Sequence, residues 1–279
     1  MDVERDGAQL LVLIKYGGNA MLSDEYQRDV ANSVRRLKDA GVRVVVVHGG
    51  GPFIAKMLKL VNIESEFIEG HRKTTPEALK YVEIALKGEV NSSLVGLFNR
   101  AGLRAVGLSG KDGRMVVATQ RRHVFDRGGQ TVECDLGQVG DVDRIDTSLV
   151  RGLVDAGYLP VITCIATGDD GLDYNINADL FAGHLAGALK ADRYVILTDV
   201  DGVMTDINDP SSRISSLHVN EIPNLSREVI QGGMIPKLES CRVALEGGAR
   251  MACIINGTKP ESIVDAATRD HFAGTLIHG

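Results

Sequence analysis

The sequence predicts an α/β protein whose parallel sheet carries helices on both faces. Three observations point to it. Two aliphatic runs, Leu10 to Ile14 and Val42 to Val47 (the second broken only by Arg43 near its start), lack the polar alternation of a half-exposed strand, so both faces of each are buried. Each run ends in glycines, Gly17-Gly18 in one and Gly49-Gly50-Gly51 in the other. Each glycine turn leads into a segment of helical period, and strand–helix alternation of this kind builds parallel sheets.

Taken in order, Glu25 to Gly41 sets Val30, Val34 and Leu37 among charges, which predicts an amphipathic surface helix that Gly41 stops. The second strand exits through His48-Gly49-Gly50-Gly51-Pro52. Pro52 suits the first position of a helix, where its missing N–H costs nothing, and Ile54 to Leu60 continues that helix. Ile63 to Gly70 reads as irregular or hairpin-like. Two helices are expected at Glu77 to Leu86 and Val90 to Arg100, then a third parallel strand at Arg104 to Leu108. The turn after it holds a Gly110-Lys111 pair, but Ala105 and Asp112 stand where a P-loop needs Gly and Ser or Thr. It reads as a turn lining the site. Met115 to Asp143 mixes short β-branched pieces with glycines and reads as antiparallel hairpins decorating the sheet. A helix over Thr147 to Gly157 precedes a fourth strand, Leu159 to Ile165, with Pro160 near its start.

The second half brings a small-residue helix from Ala178 to Lys190 and a strand from Tyr194 to Leu197. A helix from Ile235 to Glu246, the last core strand at Met251 to Ile255 and a short helix at Glu261 to Ala267 follow. Gly274 to Ile277 closes the chain. The halves, roughly 1–170 and 171–279, are expected to be two lobes of one domain sharing one sheet.

With 279 residues the chain can bury a sizeable core. A net charge of −6 argues against a broad nucleic-acid footprint. No run approaches the ~18 apolar residues of a membrane span, and the acidic, polar first ten residues do not read as a signal peptide. Cys134, Cys164, Cys241 and Cys253 are scattered without a C-x-x-C pair. They read as reduced thiols of a cytoplasmic protein rather than a disulfide frame or zinc site.

The chemistry-bearing stretches lie at element ends. Lys15 leaves the first strand beside two residues without a Cβ, where backbone N–H groups and an ammonium can meet an anion; alone, the stretch also fits a charged strand end and an ordinary turn. The three glycines before Pro52 leave N–H groups free at a helix N-terminus, an anion site. In His71-Arg72-Lys73 a solvated charge run and a carboxylate clamp through Arg72 both remain open, because a guanidinium grips a carboxylate with two parallel hydrogen bonds. Asp179 stands in a helix first turn, where the helix dipole alone would favour it. Lys237 stands in another first turn, where the dipole disfavours a cation; a purely structural account explains it poorly. Two lysines and glycine N–H groups drawn from two halves suit a reaction in which two anions meet. Phosphoryl transfer from ATP to a carboxylate is such a reaction, and an ionised carboxylate needs no general base.

Six stretches carry a resemblance: Lys15-Tyr16-Gly17-Gly18-Asn19-Ala20-Met21, His48-Gly49-Gly50-Gly51-Pro52, Gly70-His71-Arg72-Lys73-Thr74-Thr75, Asn175-Ile176-Asn177-Ala178-Asp179, Leu197-Thr198-Asp199-Val200-Asp201-Gly202-Val203 and Gly233-Met234-Ile235-Pro236-Lys237. In this order, over nearly the whole chain, they resemble the amino acid kinase family, and within it the kinases of N-acetyl-L-glutamate. The resemblance implies a three-layer α-β-α sandwich around a mostly parallel sheet, as in carbamate kinase, usually dimerised by continuing the sheet across two subunits. The first lobe would bind acetylglutamate and dimerise; the second would bind ATP. The implied reaction phosphorylates the side-chain carboxylate of N-acetyl-L-glutamate, the second step of arginine biosynthesis. Mg²⁺ would arrive with the ATP, with no dedicated protein site.

By the same resemblance, Lys15 and Lys237 would stabilise the moving phosphoryl group, with Asp179 holding both ammonium groups. Gly17, Gly18 and Gly50 would lie at phosphate oxygens. Gly50, Gly51, Arg72 and Asn175 would bind acetylglutamate. Thr198, Asp199, Val200, Asp201, Gly202 and Val203, with Gly232, Gly233 and Met234, would border the nucleotide. Two departures stand out from members inhibited by arginine. Only Met1 to Gln9 precede the first strand, where those members have a long helix, and Glu261 and Ala266 align with their arginine-recognising His and Glu. The expectation is an arginine-insensitive homodimer. Rival readings are a sister kinase acting on a carrier-linked aminoadipate or glutamate, or on aspartate, and a non-catalytic amino-acid sensor, which predicts loss of Lys15, Lys237 or Asp179. A dinucleotide-dependent oxidoreductase is disfavoured, since no G-x-G-x-x-G follows a strand.

Overall fold

The computed structural model describes residues 9–68, 71–126, 131–206, 208–225 and 232–279. Residues 1–8 and Gly70, the first residue of the third stretch above, lie outside the described residues.

The chain begins with strand β1 (Leu11–Tyr16), helix α1 (Asp24–Asp39), β2 (Arg43–His48) and α2 (Gly51–Leu60). A small hairpin, β3 (Phe67–Ile68) and β4 (His71–Arg72), leads to α3 (Pro76–Glu83) and α4 (Ser92–Arg100). Next come β5 (Ala105–Ser109), the long strands β6 (Val116–Asp126) and β7 (Thr131–Ile145), α5 (Ser148–Asp155), β8 (Leu159–Thr163), β9 (Ile165–Gly168) and β10 (Asp173–Ile176). The last part holds α6 (Ala178–Leu189), β11 (Arg193–Thr198), β12 (Ser216–His218), α7 (Met234–Glu246), β13 (Met251–Asn256), α8 (Pro260–Thr268) and β14 (Thr275–His278).

Eight strands form the central sheet in the order β12-β14-β13-β11-β1-β2-β8-β5. Its neighbours run parallel except at β13–β14, which is antiparallel. The aliphatic strands are buried on both faces, as their composition requires. Leu11, Leu13, Val45 and Val47 enter one core with Phe181 and Leu185 of α6 and Leu238 of α7. Val12, Ile14, Val44 and Val46 enter the other with Val30 and Val34 of α1, Leu94 and Phe98 of α4, and Ile263 of α8. The architecture is therefore the three-layer α-β-α sandwich, with strands of both halves in one sheet.

The first helix is capped as its sequence suggests, with Ser23 at the N-cap and Asp24 and Glu25 in the first turn. Three local expectations are corrected. The two helices expected between Glu77 and Arg100 are one continuous run, because Ile84–Asn91 is π-helical and carries Gly88 without a break. The wider turn has a physical reason. Leu79, Val82, Ala85 and Leu86 pack into the first core, whereas Val90, Leu94 and Phe98 pack into the second, so the run must change the face it buries. The fourth strand splits at Cys164: β8 stays in the main sheet and β9 leaves it. Finally, the hairpins of 115–143 do more than decorate. The β6–β7 pair is antiparallel, with register shifts, and it closes on β9 and β10 into a small four-stranded barrel of mixed direction.

Candidate active site

From β1 at the middle of the sheet, the chain proceeds to β2 on one side, while β11 flanks β1 on the other. Such a reversal of strand order opens a crevice at the carboxyl ends of the strands. Lys15 lies at that end of β1 and is buried. The glycines after β1 and β2 turn the chain away from it.

Helix α6 begins at the same edge. Its N-cap Asn177 accepts hydrogen bonds from the N–H groups of Asp179 (2.9 Å) and Leu180 (3.2 Å), which fixes the first turn. Asp179 then projects between two ammonium groups. Lys15 Nζ lies 2.8 Å from its Oδ1, and Lys237 Nζ, from the first turn and a half of α7, lies 3.3 Å from its Oδ2. Burial alone would raise the Asp179 pKa, but the charges of Lys15 and Lys237 outweigh it and hold the carboxyl below its ordinary value. Burial pushes Lys237 below an ordinary lysine, and Lys15 adds to that shift while Asp179 opposes it. Lys237 also donates to the Gly233 carbonyl at 3.2 Å, so the residue before the helix helps to aim it.

Lys15 and Asp179 form one wall of a cleft of about 410 Å³, with Lys237 behind Asp179. Gly17, Gly18, Gly49, Gly50 and Gly51 line another. At two of these glycines a side chain does not fit: a Cβ on Gly50 would lie 2.7 Å from Leu86 Cδ2, and one on Gly18, whose φ is +73°, would lie 2.7 Å from Asp199 Oδ1. Arg72 closes the far side. Its guanidinium stacks 4.5 Å from the Phe67 ring centroid, bonds Ser65 Oγ and reaches the Gly51 carbonyl at 3.4 Å. Asn175, on β10, also lines the cleft, with its amide 3.5 Å from Thr74 Oγ1.

The residues expected at the nucleotide lie at the exit of β11 and at the start of α7. Asp199 comes close to Gly18, which joins this region to the cleft. Asp201 is paired with Lys259 at 2.7 Å and accepts from Asn256 Nδ2 at 2.8 Å. Val203 N–H donates to Thr275 Oγ1 at 2.8 Å, and Gly202, with φ +121°, leaves no room for a Cβ beside that hydroxyl. Thr198 ends β11, Val200 stands between the two aspartates, and Gly232, Gly233 and Met234 lead into α7.

Of the expected site residues, the structure gathers Lys15, Gly17, Gly18, Gly50, Gly51, Arg72, Asn175 and Asp179 around one cleft, with Lys237 touching Asp179. The turn holding Gly110-Lys111, expected to line the site, is a correction: none of residues 107–113 lines the cleft, and Lys111 is engaged elsewhere. It pairs with Glu83 at 3.0 Å and Asp173 at 2.6 Å. Sequence reasoning also missed Phe67, Leu86, Val139 and Cys164, which line it. Only long-range pairing brings Val139 and Cys164 there, so no local signal marks them. Burial pushes the Cys164 thiol up to about 12, keeping it neutral. Among the described residues no three His, Cys, Asp or Glu side chains are grouped to hold a metal ion. No helix among them is long and apolar enough to cross a membrane.

Comparison with known proteins gives concordant results. The model of the amino acid kinase family matches residues 11–256. An acetylglutamate kinase of Heliobacterium modesticaldum is 48% identical over 268 residues, 95% of this chain and 91% of the relative. One of Moorella thermoacetica is 43% identical over 267 residues, 95% of this chain and 90% of that one. Among solved structures, an N-acetylglutamate synthase from Neisseria gonorrhoeae, complexed with coenzyme A and N-acetyl-glutamate, superposes with a TM-score of 0.79 at 21% identity. That match covers 97% of this chain but 59% of the synthase, and it speaks to the fold alone.

Proposed function

We propose that this chain, which belongs to the amino acid kinase family, transfers the γ-phosphoryl group of MgATP to the side-chain carboxylate of N-acetyl-L-glutamate. The products are N-acetyl-L-glutamyl 5-phosphate and ADP, in arginine biosynthesis. The observation that carries the reading is the Lys15–Asp179–Lys237 bridge, in which a carboxylate on the wall of one glycine-lined cleft holds a buried ammonium group and a partly buried one from two elements. The relatives' shared activity, at 48% and 43% identity over almost the whole chain, favours acetylglutamate over sister acceptors.

In this mechanism an oxygen of the acceptor carboxylate bonds to the γ-phosphorus as the bond to the β,γ-bridging oxygen breaks. The leaving electron pair stays on ADP and no proton moves. The carboxylate and the triphosphate repel each other, and the protein's task is to hold them in line and neutralise the spreading charge. Lys15 and Lys237 supply that charge, and Asp179 keeps both in place without occupying the phosphoryl position. Gly17, Gly18 and Gly50 offer backbone N–H groups where no side chain intrudes. Arg72, held flat by Phe67, offers a two-pronged grip for the substrate's α-carboxylate, with Gly51 and Asn175 nearby. Thr198 to Val203 and Gly232 to Met234 border the nucleotide. Mg²⁺ arrives with the nucleotide as the substrate MgATP. The reading extends to a cytoplasmic homodimer joined through the central sheet, where β5 is an edge strand of the first lobe.

The test is ADP release from MgATP with hydroxylamine trapping, comparing N-acetyl-L-glutamate, L-glutamate, L-aspartate and N-acetyl-aminoadipate. Hydroxamate from acetylglutamate alone is expected. Preference for another acceptor would move the protein to a sister reaction.

A further inference from the structure

A buried histidine and asparagine lie behind the glycine turn, and the proposed chemistry does not use them. His48 ends β2 and Asn91 ends the π-helical stretch; they are 0% and 2% exposed. Asn91 Nδ2 lies 2.9 Å from His48 Nε2 and 2.9 Å from the Val161 carbonyl oxygen. A carbonyl only accepts, so the atom facing Val161 is the amide nitrogen, and its second hydrogen points to His48. His48 Nε2 must therefore accept, which leaves the ring proton on Nδ1. Nδ1 lies 2.9 Å from the Gly49 carbonyl oxygen, to which it donates. Burial supports the neutral form, pushing the His48 pKa down to about 4.

The next peptide group carries the consequence. The chain has no cis peptide bonds among the described residues, so the Gly49 carbonyl and the Gly50 N–H point in opposite directions across one plane. Fixing the carbonyl toward His48 fixes the N–H away from it, on the side where Gly50 lines the cleft. Two glycines in succession would otherwise leave that plane free to rotate. The surroundings are shaped to the arrangement. Leu86 and Val90, from the same π-helical stretch, press against Gly50, and a Cβ on Gly107 would sit 2.2 Å from Asn91 Oδ1.

We infer that Asn91 and His48 are positioning residues, a two-step hydrogen-bond relay from the π-helical turn that holds the Gly49–Gly50 peptide with its N–H presented to an anionic oxygen in the cleft. The kinetic part rests on the proposed carboxylate kinase reaction. The tautomer part does not.

Two readouts separate them. Nitrogen NMR of histidine-labelled protein, with the His48 signals assigned by their loss in His48→Leu, is expected to show a protonated Nδ1 and a bare Nε2. In steady-state assays, Asn91→Leu and His48→Leu are expected to lower kcat about tenfold to a hundredfold, below the full loss of one oxyanion donor, with smaller changes in both KM values. His48→Asn places an amide N–H near the Nδ1 position and is expected to recover most of the lost kcat. Gly107→Ala leaves the relay's atoms intact but pushes the Asn91 amide aside, and is expected to lower kcat and to shift the His48 ring toward the other tautomer. A protonated Nε2 in the native protein would overturn the relay. So would wild-type kcat in Asn91→Leu, or His48→Asn no better than His48→Leu in a protein that still melts cooperatively. A native protein that forms no hydroxamate but shows the Nδ1 proton would overturn the kinase reading and leave the relay standing.

Discussion

Replacing Asp179 by Asn removes the one negative charge between Lys15 and Lys237 while keeping the side chain's size. At an effective dielectric of about 20, contacts of 2.8 and 3.3 Å correspond to about 5–6 kcal/mol of gross attraction each. Desolvation of the buried Lys15 and Asp179 and the partly buried Lys237 offsets much of this, so removing one partner is expected to cost about 3–5 kcal/mol of stability. The two ammonium groups would then lose the counter-charge between them, leaving only the weaker pull of Asp199 on Lys237, and one amide N–H would point at a cation. Turnover is expected to fall about a hundredfold to a thousandfold, because the cations would no longer be held where charge develops. Two pH signatures follow. Asp179 has its pKa held below the ordinary 3.8, so its contribution to stability is full above that value and is lost as the pH falls through the folded-state value. The gap between wild type and variant in urea denaturation is therefore expected to be full near neutral pH and to narrow only in acid. Lys237 loses the charge that pulls its pKa up, so the alkaline limb of kcat is expected to move to lower pH. An Asp179→Asn protein with wild-type kcat and an unchanged urea midpoint would refute the reasoning.

Lys237→Ala is expected to lower kcat by about two to three orders of magnitude with a smaller effect on KM, since its charge is needed mainly in the transition state; initial-rate hydroxamate assays check this. For Arg72→Ala, the KM for acetylglutamate is expected to rise about tenfold to a hundredfold, the range for a lost charged hydrogen bond, with the KM for ATP little changed; an effect confined to ATP would show that Arg72 serves the other substrate. Gly18→Ala forces a Cβ into a left-handed backbone beside Asp199 and is expected to cost about 1–3 kcal/mol, read as a lower thermal midpoint, together with lost turnover.

Much of the fold is readable in particular residues. The runs Leu10 to Ile14 and Val44 to Val47, within the expected second strand, show by their lack of polar positions that both faces are covered, and β1 and β2 sit in the middle of the sheet. Lys237 stands out because its place in a helix first turn explains it poorly, whereas Lys15 and Asp179 each fit an ordinary element end and gain meaning only together; the cleft forms beside Lys15 and Asp179. Other features depend on distant partners. Nothing local distinguishes Val139 or Cys164, because closure of the small barrel decides what they face. Gly88 looks like a helix break, whereas the packing of Leu86 and Val90 on opposite cores makes it part of a wider turn. The turn around Gly110-Lys111 reads as lining the site, but Glu83 and Asp173, 28 and 62 positions from Lys111, hold its lysine away from the cleft.

The helical run from Pro76 to Arg100 has a consequence for how the molecule melts. A sheet buried on both faces separates two apolar interiors that share no side chains, and two such interiors could in principle come apart one after the other. This run belongs to both. Its first turns are sealed into one interior and its last into the other, with the Ile84–Asn91 stretch as the crossing. Loosening either interior frees a rod whose other end is still held, so each reports its state to the other. Amide exchange at Leu79 and at Phe98 is accordingly expected to share one opening free energy, and the protein to unfold as a single cooperative unit.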